Sequence, residues 1–282
     1  MKIYNNLTVI LISYKSEKKI QDFVKKIPKN IKVIIIENSK NIMLKKKIEK
    51  KYKNIKVFIK KNNGVSASIN YAVKKIKTKY FLQISPDIQF NFKQLNIFFK
   101  IAKELNDKFS ALGPRFSNVK IKSHKQIKNN LNIGSISSIH GSFMFINKKR
   151  FQDIKGFDES FFLYFEETDY CKRALNIGLK AYQINKIKVK TQGRTVTINN
   201  KKEKNDLTNL LLWHFIWSKY YFTKKNYGNI VTIILFTPIL IRAFFKVIFY
   251  KLTNNKELLE KYKYRLSGLI ASIRGKSSDL RI

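Results

Sequence analysis

Residues 158–169 hold five carboxylates, Asp158, Glu159, Glu166, Glu167 and Asp169, in a chain whose 58 Lys and Arg far outnumber its 18 Asp and Glu. At that overall frequency a twelve-residue window carries about 0.8 carboxylates, so the cluster calls for a reason. Its context, GFDESFFLYFEETDY (156–170), places six aromatics among the acids: Phe157, Phe161, Phe162, Tyr164, Phe165 and Tyr170. A carboxyl against apolar surface titrates higher than one in water, which makes general-base chemistry available. The dipole of a helix over 167–177 accounts for Glu166, Glu167 and Asp169 one by one. It does not account for Asp158 and Glu159.

A second candidate is Ile84-Ser85-Pro86-Asp87, an acidic residue just beyond an apolar run, with Pro86 stiffening the turn. At the carboxyl end of a strand, Asp87 is placed to hold a divalent cation against a nucleotide diphosphate. Pro-Asp is also ordinary turn chemistry, so the signal gains weight only in company. That company is Glu37-Asn38 and Asn62-Asn63-Gly64, each closing an earlier apolar run.

The elements that must position these residues read clearly. LTVILISY (7–14), IKVIIIEN (31–38), IKVFIK (55–60) and KYFLQIS (79–85) are continuous β-branched or apolar runs, the pattern of buried parallel strands. The stretches between them are long enough for crossover helices, and 65–77 has helical spacing. The fold class is α/β, a nucleotide-binding sheet with helices on both faces. Residues 108–146 turn to shorter strands and polar loops ending in GSFMFIN (141–147). Helical spacing returns at 148–155 and at 167–177, the latter closed by Gly178.

Composition sets bounds. With 282 residues, 44% hydrophobic and 13% aromatic, the chain can build a large core and is not intrinsically disordered. The net charge of +40 invites a polyanion, yet only eight of the 58 basic residues are Arg, the residue suited to base-edge and bidentate phosphate recognition. A Lys-loaded solvated surface is the better reading, and no nucleic-acid partner is expected. Cys171 stands alone, so a disulfide framework and a multi-cysteine metal centre are excluded and a reducing compartment is expected. His124, His140 and His214 lack metal-ligand spacing.

From about residue 199 the character changes. Residues 201–282 carry sixteen Lys and Arg against five Asp and Glu, interleaved with Trp, Tyr and Phe. The uncharged run from Ile230 to Ile241 is twelve residues, and Arg242 and Lys246 interrupt it. On this count it is too short to span a bilayer and suits attachment to an anionic membrane surface, with packing against the first domain as the alternative.

The order of these features resembles the family 2 glycosyltransferases with a GT-A fold, and within them the rhamnosyltransferase-like branch that builds O-antigen and related bacterial surface polysaccharides. The resemblance covers roughly 7–195 and continues weakly beyond. ISY (12–14) resembles the family's first nucleotide-contacting strand end, ENS (37–39) its Asp-Asn-Ser, NNGVSASIN (62–70) its Asn-x-Gly…Asn element, and SPD (85–87) the branch's Asn-Pro-Asp. Most specific is 140–178, similar almost position by position to Gly-x-x-Met-x-Ile…Gly-Phe-Asp-Glu-x-Phe-Phe-x-Tyr-x-Glu-Asp-x-Asp-x-x-x-Arg…Gly.

The resemblance implies a sugar, such as the rhamnose of this branch, moved with inversion from a nucleoside-diphosphate donor (dTDP- or UDP-sugar) to a lipid-linked or growing polysaccharide acceptor. It implies Mg or Mn held by Asp87, and Glu167 as the base, with Glu166 and Asp158 completing the catalytic group. Ser13, Tyr14, Glu37, Asn38, Asn63, Gly64, Asn70, Pro86, Lys190 and Arg194 fall at donor-binding positions. Glu159, Asp169 and Arg173 fall where the acceptor is contacted or the site braced. It implies a catalytic domain over 1–198, a helical basic segment over 199–282, and a cytoplasmic enzyme peripheral on the inner face of the membrane. Glu37 and Glu167 stand where Asp is usual, and Lys190 where a His is usual; Lys cannot ligate a cation while protonated but can pair with a diphosphate. The rivals are a degenerate transferase, a glycoside hydrolase using the 158–169 acids, and a non-catalytic binder of polyanions or membranes.

Overall fold

The computed structural model describes residues 2–118, 126–128, 130–193, 196–198 and 200–281. Two compact units emerge, one comprising 1–158 and 166–197, the other 159–165 and 198–282.

In the first unit the chain runs β1 (Leu7–Ser13), α1 (Glu17–Val24), β2 (Lys32–Glu37), α2 (Ile42–Lys51), β3 (Ile55–Ile59), α3 (Gly64–Lys75), β4 (Tyr80–Ile84) and β5 (Ile88–Gln89). It continues through α4 (Leu95–Glu104), β6 (Leu112–Phe116), β7 (Ile133–Ile136), β8 (Phe143–Asn147), α5 (Lys148–Asp153), α6 (Glu166–Leu175) and β9 (Ala181–Thr191). Among the described residues the strands form one sheet in the order β3-β2-β1-β4-β8-β6-β9-β5, with β7 also paired to β9. The first four are mutually parallel, while β8 runs antiparallel to β4.

Alternation along β1 explains why helices cover both faces. Val9 and Leu11 join a core with Phe23 of α1, Leu44 of α2 and Phe98 of α4, whereas Ile10 joins one with Ile69 of α3, Phe151 of α5 and Tyr170 of α6. The abundant Asn does local work as well. The Asn41 and Asn147 side chains accept from the backbone N–H of Leu44 and Arg150, capping α2 and α5.

The second unit consists of the 159–165 loop, α7 (Lys201–Leu252), α8 (Lys256–Ile273) and the tail after it. Gly228, at φ 81° and ψ 176°, divides α7 into an inner stretch, 201–227, and an outer stretch, 229–252. Inner residues Leu207, Leu210, Trp213, Ile216, Trp217 and Phe222 are buried. α8 packs so closely that a Cβ on Gly268 would lie 2.7 Å from the Trp213 carbonyl oxygen. The tail is pinned: Trp217 Nε1 donates to Lys276 O (3.0 Å), and buried His214 bonds Leu280 O (3.0 Å) and Ser278 Oγ (2.8 Å). A carbonyl only accepts, so His214 Nε2 carries the proton and Nδ1 accepts from the Ser278 hydroxyl. Burial lowers the His214 pKa to about 4, so the ring stays neutral.

The outer stretch corrects the expectation from sequence. α7 contains an 18-residue window of mean hydropathy 2.1 with at most two charged residues, only 17% of it buried, so it is long and apolar enough to cross a bilayer. Counting to Arg242 undervalued it, because one or two charges in a continuous helix do not end its apolar length.

Candidate active site

Parallel pairing brings the carboxyl ends of β1 to β4 to one edge of the sheet, where an open α/β fold takes its ligands. Ser13 sits in register with Glu37, and the Asn38 N–H donates to Ser13 O (2.8 Å). Both Glu37 and Asn38 are buried. Glu37 Oε1 accepts from the N–H (2.6 Å) and the hydroxyl of Ser39. Asn38 Nδ2 donates to Ser68 Oγ (2.8 Å), which donates to Gly64 O (2.7 Å). Glu37 Oε2 and Asn38 Oδ1 remain buried acceptors without a hydrogen-bond partner among the described residues. Such groups are costly unless something donates to them, and hydroxyls or ring N–H groups of a ligand are suitable donors. Tyr14 is half-buried on the same edge, Asn63 is exposed, and Gly64 opens α3.

Beyond β4 the edge turns acidic. The Ser85 N–H donates to Ser142 O (2.8 Å), and Gln83 Nε2 donates to Gly141 O (2.6 Å). A Cβ placed on Gly141 would lie 3.5 Å from Glu167 Cδ and 3.6 Å from Glu166 Oε1. The strand end that leads into Pro86 and Asp87 is thus joined, through a bare glycine turn, to the acid pair opening α6. Asp87 is itself buried, its Oδ2 accepting from the Thr191 hydroxyl and its carbonyl from Gln192 N–H (2.9 Å). This follows from the β5–β9 pairing of Ile88 with Thr191 and Gln89 with Lys190, which leaves Lys190 exposed.

The acid pair has the electrostatics of a reactive site. Burial, then the charge of Glu167, holds Glu166 well above the usual carboxylate range. Burial pushes Glu167 up to about 7, opposed by the backbone N–H groups of Glu167 and Thr168. Both carboxyls therefore hold a proton more tightly than an exposed acid does, and Glu167 exchanges its proton near neutrality.

Other expected residues have different placements. Asn70 spends its amide on the Phe157 backbone, donating to its carbonyl (2.9 Å) and accepting from its N–H (3.0 Å), so in this structure it pins the loop before Asp158. Arg173 bonds buried Asp169 (2.7 Å), the Ile154 carbonyl and the Gly156 carbonyl (2.6 Å), the geometry of a brace. Asp158 is half-buried; Glu159 is exposed and belongs to the helical unit. Arg194 and His124 lie outside the described residues. Thr191, Ser68 and Gln83 escaped the sequence reading because their roles depend on partners far along the chain. Gly141 stood inside the most specific motif.

Among the described residues no three His, Cys, Asp or Glu side chains converge as a metal site. Asp87, a single oriented carboxylate, suits a cation whose other ligands are diphosphate oxygens and water. A cavity of about 350 Å³ lined by Thr78, Lys79, Asp107 and Arg150, among others, opens at the amino end of β4, the wrong edge for this chemistry.

The comparisons with known proteins agree with this architecture. Residues 8–171 match the profile of "Glycosyl transferase family 2". The low-salt glycan biosynthesis hexosyltransferase Agl10 of Haloferax volcanii is 24% identical over 199 residues, 62% of this chain and 64% of Agl10, so the chain spans less than two thirds of that relative. In fold the chain is similar to the mannosyltransferase PcManGT of Pyrobaculum calidifontis, solved with GDP-Man and Mn2+ (TM-score 0.59, 10% identity, 96% of this chain and 88% of that one). It is also similar to S. aureus TarS 1-349 in complex with UDP-GlcNAc (TM-score 0.54, 12% identity, 96% and 92%). With a profile match over more than half its length, the chain belongs to glycosyl transferase family 2.

Proposed function

We propose that this chain is an inverting hexosyltransferase that moves a sugar from a nucleoside-diphosphate donor to a saccharide acceptor carried on lipid or on a growing polysaccharide. The observation that carries the reading is the junction at Gly141, which links the Gln83–Ser85 strand end, the segment leading into Asp87, to an acid pair of which Glu167 titrates near 7. The reading assigns the nucleoside to the Ser13–Tyr14 and Glu37–Asn38 strand ends, where buried acceptors await donors. Asn63, Gly64, Lys190 and Arg194 are assigned to the rest of the donor.

In the reaction, Glu167 accepts the proton of an acceptor hydroxyl. The freed oxygen attacks the anomeric carbon from the face opposite the diphosphate, and the anomeric C–O bond breaks with its electron pair going to the departing diphosphate. One displacement inverts the centre, and no covalent sugar–enzyme intermediate is required. Burial of both carboxyls disfavours a double negative charge on the pair. The residues suit a divalent cation at Asp87, where Mg2+ or Mn2+, when bound, supplies neutralisation of the charge developing on the diphosphate. The PcManGT and TarS structures, solved with GDP-Man and UDP-GlcNAc, support the donor class. The outer stretch of α7 supports a membrane-bound setting, with the cytoplasmic face as the side that holds nucleotide-sugars.

The test is release of nucleoside diphosphate from UDP-GlcNAc, UDP-glucose, GDP-mannose and dTDP-rhamnose by the purified chain. Asp87→Ala and excess chelator should each abolish turnover while circular dichroism stays unchanged. Turnover that survives both removes the role given to Asp87, and no release from any donor opposes the reading as a whole.

A further inference from the structure

Of the ten glycines in the chain, six sit at positive φ. At three others a Cβ would crowd a neighbour, at 2.4 Å for Gly113, 3.0 Å for Gly134 and 2.7 Å for Gly268. Gly141 has neither reason. Its φ lies outside the left-handed region, and a Cβ there would meet its nearest neighbour at 3.5 Å, an ordinary contact distance. It is the second residue of the turn closed by the Phe143 N–H on His140 O (3.0 Å), a position that most residues accept. Glycine loses more backbone freedom on folding than alanine does, so a glycine that neither conformation nor packing demands needs another cause.

The cause lies in what the absent side chain would face. The atoms nearest to that Cβ are Glu167 Cδ (3.5 Å) and Glu166 Oε1 (3.6 Å), and all three residues belong to the sheet unit. A hydroxyl held to a carboxylate by an O–H···O bond of about 2.7 Å has its oxygen about 3.5 Å from the carboxyl carbon. A methyl on Gly141 and a hydroxyl bound to Glu167 would therefore compete for the same space. The turn is fixed and does not yield. Gln83 Nε2 donates to Gly141 O (2.6 Å), the Ser85 N–H donates to Ser142 O (2.8 Å), and the Ser142 N–H (3.2 Å) and hydroxyl (2.6 Å) both donate to His140 Nδ1. Gly141 and Glu167 are each only half-buried, so the gap between them is open rather than sealed in the core.

We propose that Gly141 is a specificity-determining residue: its bare Cα leaves the slot through which a CH–OH group of the saccharide acceptor reaches Glu167. The proposal rests on the reading of Glu167 as the base. Gly141 makes no bond to the acceptor in this account and acts by the room it leaves. Water needs less of that room than a sugar hydroxyl with its carbon and ring behind it. Narrowing the slot should therefore separate the two nucleophiles.

The experiment is Gly141→Ala in the full chain. Nucleoside-diphosphate release and glycoside formation are measured side by side, with water alone and with the octyl glycosides of glucose, mannose and N-acetylglucosamine as acceptors. The variant should fold as well as the parent, with an equal or higher midpoint of thermal denaturation. Transfer to the octyl glycosides should fall about tenfold or more, while donor KM and hydrolysis by water change by less than about twofold. The methyl also displaces water from the Glu167 carboxyl, so the rising limb of hydrolysis should move to higher pH. Gly141→Ser, which brings the same carbon, should block transfer to a similar extent. Undiminished transfer in both variants, or equal losses of hydrolysis and transfer, overturns the slot and leaves the base assignment standing. A lower midpoint for Gly141→Ala overturns it too, since the fold itself would then need the glycine. If Glu167→Gln keeps full kcat, the base assignment falls, and the slot falls with it.

Discussion

Of the two stretches of α7, the outer one is the richer in apolar side chains, 17 of 24 residues against 12 of 27 in the inner one, and it is the more exposed. In the inner stretch Trp213, Ile216, Trp217 and Phe222 are buried against α8, the tail and the 159–165 loop. In the outer stretch Ile230 is 76% exposed, Ile234 66%, Phe245 63% and Leu252 77%, with Thr232, Phe236 and Ala243 the side chains turned inward. The break falls at Gly228, whose backbone leaves the helical region. Hydrophobicity alone therefore does not say what a helix is for. The inner stretch spends its apolar surface on protein; the outer one leaves its apolar surface exposed, and a contiguous exposed face of this kind is rare on a protein that meets only water.

The contrast can be broken most forcefully from the inside. Trp217→Ala removes a buried ring stacked on Tyr221 (5.1 Å) and its hydrogen bond to Lys276 O, and it should cost about 3–5 kcal/mol in chemical denaturation. A loss below about 1 kcal/mol would mean the inner stretch is not a packed core. Next in size, Ile234→Lys should weaken co-sedimentation with vesicles of anionic lipid by about tenfold or more, since it puts a charge where an exposed aliphatic side chain would enter the acyl region. Unchanged sedimentation would take the outer stretch out of membrane contact. Smallest of all, Phe245→Ala should shift stability without lipid by no more than about 0.5 kcal/mol. A large destabilisation there would show that the exposed face is covered by protein after all. Raising salt should weaken vesicle binding without removing it, because the basic residues of 201–282 are screened whereas aromatic and aliphatic contact is not.

Much of the sheet was legible because its strands are buried on both faces. Residues 7–13, 32–37, 55–59 and 80–84 stand out as unbroken apolar runs, and the polar residues that close them point to the ligand edge. The acid pair was legible from its improbability. What remained hidden was non-local. Nothing near Asp87 foretells that Thr191, 104 residues later, donates to it, and nothing near Asn70 foretells Phe157, 87 residues away. The aromatics of 159–165 were read as a lining for carboxylates, yet Phe161, Phe162 and Phe165 lie against α7. A local pattern records that a side chain is apolar; it does not record which surface will cover it.

The central claim, that Glu167 is the base of a sugar transfer, is tested most directly by the pH dependence of kcat for nucleoside-diphosphate release. The base must be ionised to accept a proton, so kcat should rise as pH rises through about 7 and level off above it. The raised pKa also means that the folded state binds this proton more tightly than the unfolded chain does. Stability should therefore fall as pH climbs from the ordinary value of 4.5 toward about 7, and Glu167→Gln should remove that contribution. In the same substitution kcat should drop by at least about 10²-fold and lose its ascending limb, with donor binding nearly unchanged. A Glu167→Gln enzyme that keeps both its rate and its limb near pH 7 would contradict the account.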